Sequence, residues 1–248
     1  MSLKKAKAAY LNADFLTSRE ARTIRITSEY LEPEKRFEEM NIFHTVVFFG
    51  SARTKDNKES KSYWAAENFA YKLAEWSKEL EKNGEGFYIM TGGGPGIMEA
   101  ANRGANRAGA KTIGLNISIP FEQQPNKYIS PELNFEFHYF FMRKLWFLYH
   151  AKALIVFPGG FGTLDELFET LTLLQTRKIE KGNIPILLYD REFWEGLINF
   201  RKLVDEDLIS SEDLNLFHFF DDLDEGFNFL KPRLEKFINK VNHGLIKV

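Results

Sequence analysis

A doubly wound α/β fold, a parallel sheet with helices on both faces, is the class this 248-residue sequence predicts. Three observations carry that prediction. Short runs are apolar on both faces, as strands buried on both sides of a parallel sheet must be. Segments with helical apolar spacing alternate with them. Glycine-rich turns follow the ends of three of the runs.

The first forty residues are charged and helix-prone, with Pro33 their one proline, and predict one or two outer helices without chemistry of their own. TVVFFGS, from Thr45, is β-branched and aromatic and ends at Gly50, which marks a buried strand. Lys61 to Asn83 carries Trp64, Phe69, Leu73, Trp76 and Leu80 at helical spacing, with Gly84 as a C-terminal stop. The alternation then repeats. GFYIMTG from Gly86 predicts a strand, GIMEAANRGANRAG from Gly96 a helix and KTIGLNI from Lys111 a strand. FEFHYFFMR leads into a helix over RKLWFLYHA, and ALIVFPG from Ala153 is the next strand. TLDELFETLTLLQTRKI reads as an amphipathic helix, IPILLYD from Ile184 as a strand, and the tail from Arg191 as helices closing the back. One domain is expected over 1–248, with a core of about 45–190 and flanking helices over 1–44 and 191–248.

Composition narrows the function classes. Lys+Arg 33 against Asp+Glu 35 gives a net charge of −2, so no global positive field attracts nucleic acid or anionic lipid. With no cysteine, the chain has no disulfides, thiolate metal sites or Cys nucleophile. No apolar run approaches the ~20 residues that span a bilayer. The N-terminal lysines are not followed by the apolar stretch of a secretory signal, so a cytoplasmic protein is expected. His44, His138, His150, His218 and His243 show no metal-ligand spacing, and neither a metal nor a redox cofactor is called for.

The glycines carry the functional argument. Gly50-Ser51-Ala52-Arg53, Thr91-Gly92-Gly93-Gly94-Pro95-Gly96-Ile97-Met98 and Pro158-Gly159-Gly160-Phe161-Gly162-Thr163 each follow a strand. In open α/β sheets ligands bind beyond the carboxyl ends of the strands, where strand order reverses. Bare backbone approaches a phosphate closely, and each following helix turns its positive end to the anion. Ser51, Thr91, Thr163 and Arg53 offer side-chain donors to the same space. The bland alternatives are a tight turn with Pro95 at a helix start, and a capping box between Thr163 and Glu166. G-x-G-x-x-G is absent after the first strand, as is a P-loop, which disfavours NAD and nucleoside triphosphates and leaves a mononucleotide or sugar phosphate.

TGGGPGIMEAANRGA and PGGFGTLDELFETLTLLQT, with FFMRK between them, closely resemble the LOG (Lonely Guy) family of Rossmann-like proteins, also described as possible lysine decarboxylases. The resemblance spans roughly Thr45 to Asp190. It implies a phosphoribohydrolase that splits a nucleoside 5′-monophosphate into free base and ribose 5-phosphate. The family's catalytic acid falls on Glu166 and its arginine on Arg143. A carboxylate at the anomeric carbon stabilises an oxocarbenium-like sugar and takes a proton from water. Arg143 cannot deprotonate and is assigned to holding Glu166 and the nucleotide. Met98 falls where the family packs the base, with a core methionine as the alternative. Glu99 is a candidate for the ribose hydroxyls, or a simple first-turn acid. Asp165 reads as a helix-start charge and Glu169 as solvated or paired.

GLNISIPFEQQPNKYIS departs from the short plant-type members and resembles a longer bacterial subgroup. Its Asn116, Glu122, Gln123 and Asn126 place polar groups at the rim, which favours AMP or another purine monophosphate over a cytokinin nucleotide. The aromatic segment NFEFHYFFMRKLWFLYH reads as packing and as a subunit surface, and the resemblance implies a homodimer or higher homo-oligomer. Two other readings stand beside the hydrolase. One is a non-catalytic binding or carrier protein, as related proteins that carry the molybdenum cofactor are. The other, lysine decarboxylation, needs a Schiff-base lysine, and none stands out beside the glycine loops.

Overall fold

The computed structural model describes residues 6–57, 59–81, 85–120, 124–179 and 184–242. Seven parallel strands form one sheet: β1 Thr45–Phe49, β2 Tyr88–Thr91, β3 Thr112–Ile117, β4 Asn134–Phe137, β5 Ala151–Val156, β6 Ile186–Tyr189 and β7 Phe217–Phe220. Their order is β4-β3-β2-β1-β5-β6-β7. The chain walks outward from β1 to the β4 edge, then returns to pair β5 with the other side of β1, from Thr45↔Ala151 to Phe49↔Val156. Strand order therefore reverses at β1 and β5, and a crevice opens beyond their carboxyl ends.

Two-residue periodicity explains why β1 reads as apolar throughout. Val46 and Phe48 point into one core layer with Phe69, Leu73 and Leu230, while Val47 and Phe49 point into the other with Trp146, Leu167 and Trp194. The first layer is covered by α3 Lys61–Glu81, α4 Ile97–Arg107 and α9 Leu223–Asn242. The second is covered by α2 Arg22–Glu39, α5 Phe140–Tyr149 and α6 Phe161–Gln175. The short helices α1 Ala13–Thr17, α7 Arg191–Leu197 and α8 Phe200–Asp205 complete the set among the described residues.

The N-terminal helix α2 braces α5. Trp146 Nε1 donates to the Glu29 carbonyl at 3.0 Å, and the Glu29 carboxylate accepts from the backbone N–H groups of His138 (2.8 Å) and Tyr139 (3.1 Å). Tyr139 is the N-cap of α5 and makes no side-chain cap of its own, so a residue 110 positions away satisfies that helix start.

Three sequence expectations are corrected. The segment before α5 contains a strand, β4, whose exposed-buried alternation over Asn134–Phe137 marks a sheet edge. The tail is not purely helical: Phe217–Phe220 pairs with β6 and forms the opposite edge. Finally, α6 begins at Phe161 with Gly160 as its N-cap, two residues before the expected start at Thr163. Gly84 lies outside the described residues.

Candidate functional site

At the reversal point lies a cavity of about 770 Å³. β1 contributes Phe49 and the turn Gly50-Ser51-Ala52-Arg53; β5 and α6 contribute Gly159, Gly160, Phe161, Gly162, Thr163, Leu164 and Glu166. Gly92, Met98, Asn116, Arg143 and Phe147 close the remaining sides. The two central turns are tied together, with Ser51 N–H donating to the Pro158 carbonyl at 3.1 Å and Phe157 N–H to that of Phe49 at 2.8 Å.

The turn after β5 leaves its backbone uncovered. Leu164 is the first α6 residue whose N–H reaches a carbonyl, that of Gly160 at 3.0 Å, as a helix start requires. A side chain at Gly160 or Gly162 would meet nothing within 4 Å, so neither glycine is imposed by packing. Gly159 is different: a Cβ there would stand 2.1 Å from the Thr163 hydroxyl.

Because α6 starts at Phe161, Thr163 is already inside the helix and cannot cap it. The capping-box alternative for Glu166 is therefore excluded, and Glu166 sits in the second turn, not the first. It is 6% exposed, on the cavity wall, with Lys144 Nζ 3.3 Å from Oε2. Burial pushes its carboxyl up to about 7, against the opposing pull of Lys144 and Arg143 and with the help of Glu169.

Arg143 also lines the cavity, but it holds Glu166 through no ion pair within 4 Å; Lys144 does so instead. The Arg143 guanidinium lies 5.4 Å from each of the Phe140 and Phe147 ring centres, and Nη1 reaches the Leu115 carbonyl at 3.5 Å. Its Nε is buried without a hydrogen-bond partner, and burial lowers its pKa. An orphaned buried donor on a cavity wall is a point where a polar ligand atom fits.

Five candidates stand outside the cavity wall: Thr91, Gly93, Gly94, Gly96 and Glu99. The Thr91 hydroxyl is not free for a ligand, since it donates to Asn102 Oδ1 at 2.7 Å and accepts from Gly93 N–H at 3.0 Å. Gly93 and Gly96 have φ of +75° and +71°, and a Cβ at Gly96 would lie 2.3 Å from the Ser51 carbonyl oxygen. Ile97 N–H, the first amide of α4, donates to that same oxygen at 3.0 Å, so the α4 start serves loop-to-loop packing. Of the polar rim residues, Asn116 lines the cavity, its amide nitrogen donating to Asn134 Oδ1 and the Phe135 carbonyl. Asn126 instead ties down the Gly93 and Gly94 carbonyls. Glu122 and Gln123 lie outside the described residues.

Lys144 escaped the sequence reading, as did Ser51's carbonyl as an acceptor. The signal for Lys144 was the acidic spacing of Asp165, Glu166 and Glu169 on one helix, which calls for a cation opposite. Among the described residues no group of three or more His, Asp or Glu side chains is arranged to hold a metal ion. No described helix is long and apolar enough to cross a membrane.

One solved structure agrees with this architecture. The X-ray structure of TM1055, a structural-genomics target, superposes with a TM-score of 0.53 at 18% identity, covering 76% of this chain and 99% of that one. The molybdenum cofactor carrier protein of Chlamydomonas reinhardtii superposes with a TM-score of 0.49 at 20% identity, covering 77% and 98%. In sequence, the cytokinin riboside 5′-monophosphate phosphoribohydrolase LOG2 of Arabidopsis thaliana is 27% identical over 168 residues, which are 66% of this chain and 71% of that protein. Residues 98–230, more than half of the chain and including both Arg143 and Glu166, match the family described as "Possible lysine decarboxylase". The chain belongs to that family, the LOG family.

Proposed function

We propose that this protein is a nucleoside 5′-monophosphate phosphoribohydrolase acting on AMP or a related purine nucleotide. The observation that carries the reading is Glu166, the one carboxylate among the described residues lining the cavity, placed behind a helix start with room for an anion. In this reading the 5′-phosphate sits at Gly160–Thr163, against the uncovered amides and the positive end of α6. Ser51 and Arg53 supply further donors, with Gly50, Gly92 and Gly159 shaping the floor. Met98 and Phe147 offer apolar surface to the base.

Hydrolysis breaks the bond from C1′ to the base nitrogen, adding hydroxyl to C1′ and a proton to the base. The ionised Glu166 stabilises the positive charge that develops at C1′ and removes a proton from the attacking water. A carboxyl titrating at about 7 is well matched to that task near neutral pH. Arg143, always charged, orients the nucleotide through its unpartnered Nε. Phe141, Leu145 and Tyr149 on α5 and Phe161 and Phe168 on α6 are exposed apolar side chains, and Phe161 also lines the cavity. They support a homodimer that covers this face.

A panel of nucleoside monophosphates, scored by chromatography for free base and ribose 5-phosphate, tests the proposal. AMP is expected to be split, with kcat/KM rising with pH through about 7 as Glu166 ionises. Glu166→Gln should lose about 10²–10⁴-fold in kcat and still bind AMP. Binding of nucleotides with no base released from any of them would instead identify a non-catalytic binding protein for phosphorylated ligands.

A further inference from the structure

Lys144 follows Arg143 on α5 and reaches three carboxylates of α6 at once. Its Nζ is 2.8 Å from Asp165 Oδ2, 3.3 Å from Glu166 Oε2 and 2.8 Å from Glu169 Oε2. The cluster is graded from solvent to cavity: the side chains of Asp165 and Glu169 are 60% and 34% exposed, those of Lys144 and Glu166 17% and 8%. Lys144 is not on the cavity wall, so it acts on a ligand only through Glu166.

We propose that Lys144 is a positioning residue, shared among Asp165, Glu166 and Glu169, that holds the Glu166 carboxylate on the cavity wall and sets the pH at which it ionises. The proposal rests on the reading of Glu166 as the group that takes the proton from water. An ammonium has three N–H bonds, so each carboxylate can accept one, but the outer two lie closer and compete with Glu166. Three acids on one cation leave the cluster two negative charges in excess, which works together with burial against ionisation of Glu166. Of the other charged groups, Arg143, from the same helix as Lys144, favours ionisation of Glu166, and Arg53 lines the same cavity. Glu169, one turn on, opposes it. Burial works against the Lys144 charge, yet its hydrogen bonds to Asp165 and Glu169 and the neighbouring carboxylates hold its pKa above the ordinary lysine range.

The cluster predicts opposite shifts from its two ends. Lys144→Met removes the attraction and should raise the Glu166 midpoint by about one unit or more. Glu169→Gln removes a like charge and a competitor, and should lower it by about half a unit. Lys144→Arg should restore most of the wild-type value. Carbon-13 NMR of protein labelled at glutamate carboxyls reads these midpoints directly, with the Glu166 signal assigned by its loss in Glu166→Gln. The acid limb of kcat for AMP should move in the same directions. Equal midpoints in Glu169→Gln and wild type, or shifts of the same sign in Glu169→Gln and Lys144→Met, would overturn the proposal. If Lys144→Met does not fold, Glu169→Gln and Lys144→Arg still decide it. Failure of every nucleotide to react would sink the hydrolase reading alone, because the NMR midpoints do not depend on turnover.

Discussion

Two glycine-rich turns flank β1, one after β2 and one after β5, and they are built alike. Each ends in a glycine N-cap, Gly96 or Gly160, and each following helix carries a buried polar side chain six residues on, Asn102 or Glu166. In the first turn the glycines are there because protein is close: positive φ at Gly93 and Gly96, and the Ser51 carbonyl where a Cβ would be. Asn102 is fully engaged, accepting from the Thr91 hydroxyl and the Asn126 amide and donating to the Thr112 hydroxyl at 2.6 Å. In the second, Gly160 at the end of the turn and Gly162 at the start of α6 have empty space ahead of them, and Glu166 is an ionisable group on a cavity wall. The same residue type in the same position thus serves closure in one turn and vacancy in the other.

The sharpest way to break this contrast is to add one methyl group to each N-cap. Gly96→Ala must hold alanine at φ +71° against a backbone oxygen and should cost about 3 kcal/mol or more. That would lower Tm by roughly 6–12 °C in a chain of this size, read by calorimetry. Gly160→Ala, at φ −94°, should keep Tm within about 2 °C and weaken AMP binding by roughly tenfold, the scale of one displaced phosphate hydrogen bond. If the two variants melt alike, the distinction between the turns is wrong.

A smaller effect follows from the neutral and ionisable residues behind the turns. The Glu166 carboxyl is raised from 4.5 to about 7 by burial, so the folded state holds its proton more tightly than the unfolded chain does. That contribution to stability is complete below about 4.5 and is lost as pH climbs through about 7. Glu166→Gln should therefore melt a few degrees above wild type at pH 8, by about 1–3 kcal/mol, and show no such advantage at pH 4. An equal advantage at both values would mean that the carboxyl is not held neutral by burial.

Much of this was legible in the sequence. β1, β2, β3, β5 and β6 announce themselves because both of their faces are buried, and the glycine turns mark their carboxyl ends. The edge strands hide for the complementary reason: Asn134–Phe137 is only half buried, and Phe217–Phe220 is four residues long within a helix-rich tail. The start of α6 was misplaced because Thr163-Leu164-Asp165-Glu166 has capping-box spacing, while the true cap, Gly160, has no side chain to signal it. Lys144 was hidden by distance, since its partners lie 21 to 25 positions further along. Arg143 and Glu166 were found by resemblance, and their convergence on one cavity needed the fold.

The bracket that Glu29 forms with His138 and Tyr139 has a practical consequence. Trimming the chain to its recognisable motifs would keep the glycines of all three turns, Arg143 and Glu166, and yet discard the carboxylate that terminates the α5 backbone. The outer helix with no chemistry of its own is in this sense scaffolding for the chemistry, and a minimal version of the protein has to begin upstream of residue 29.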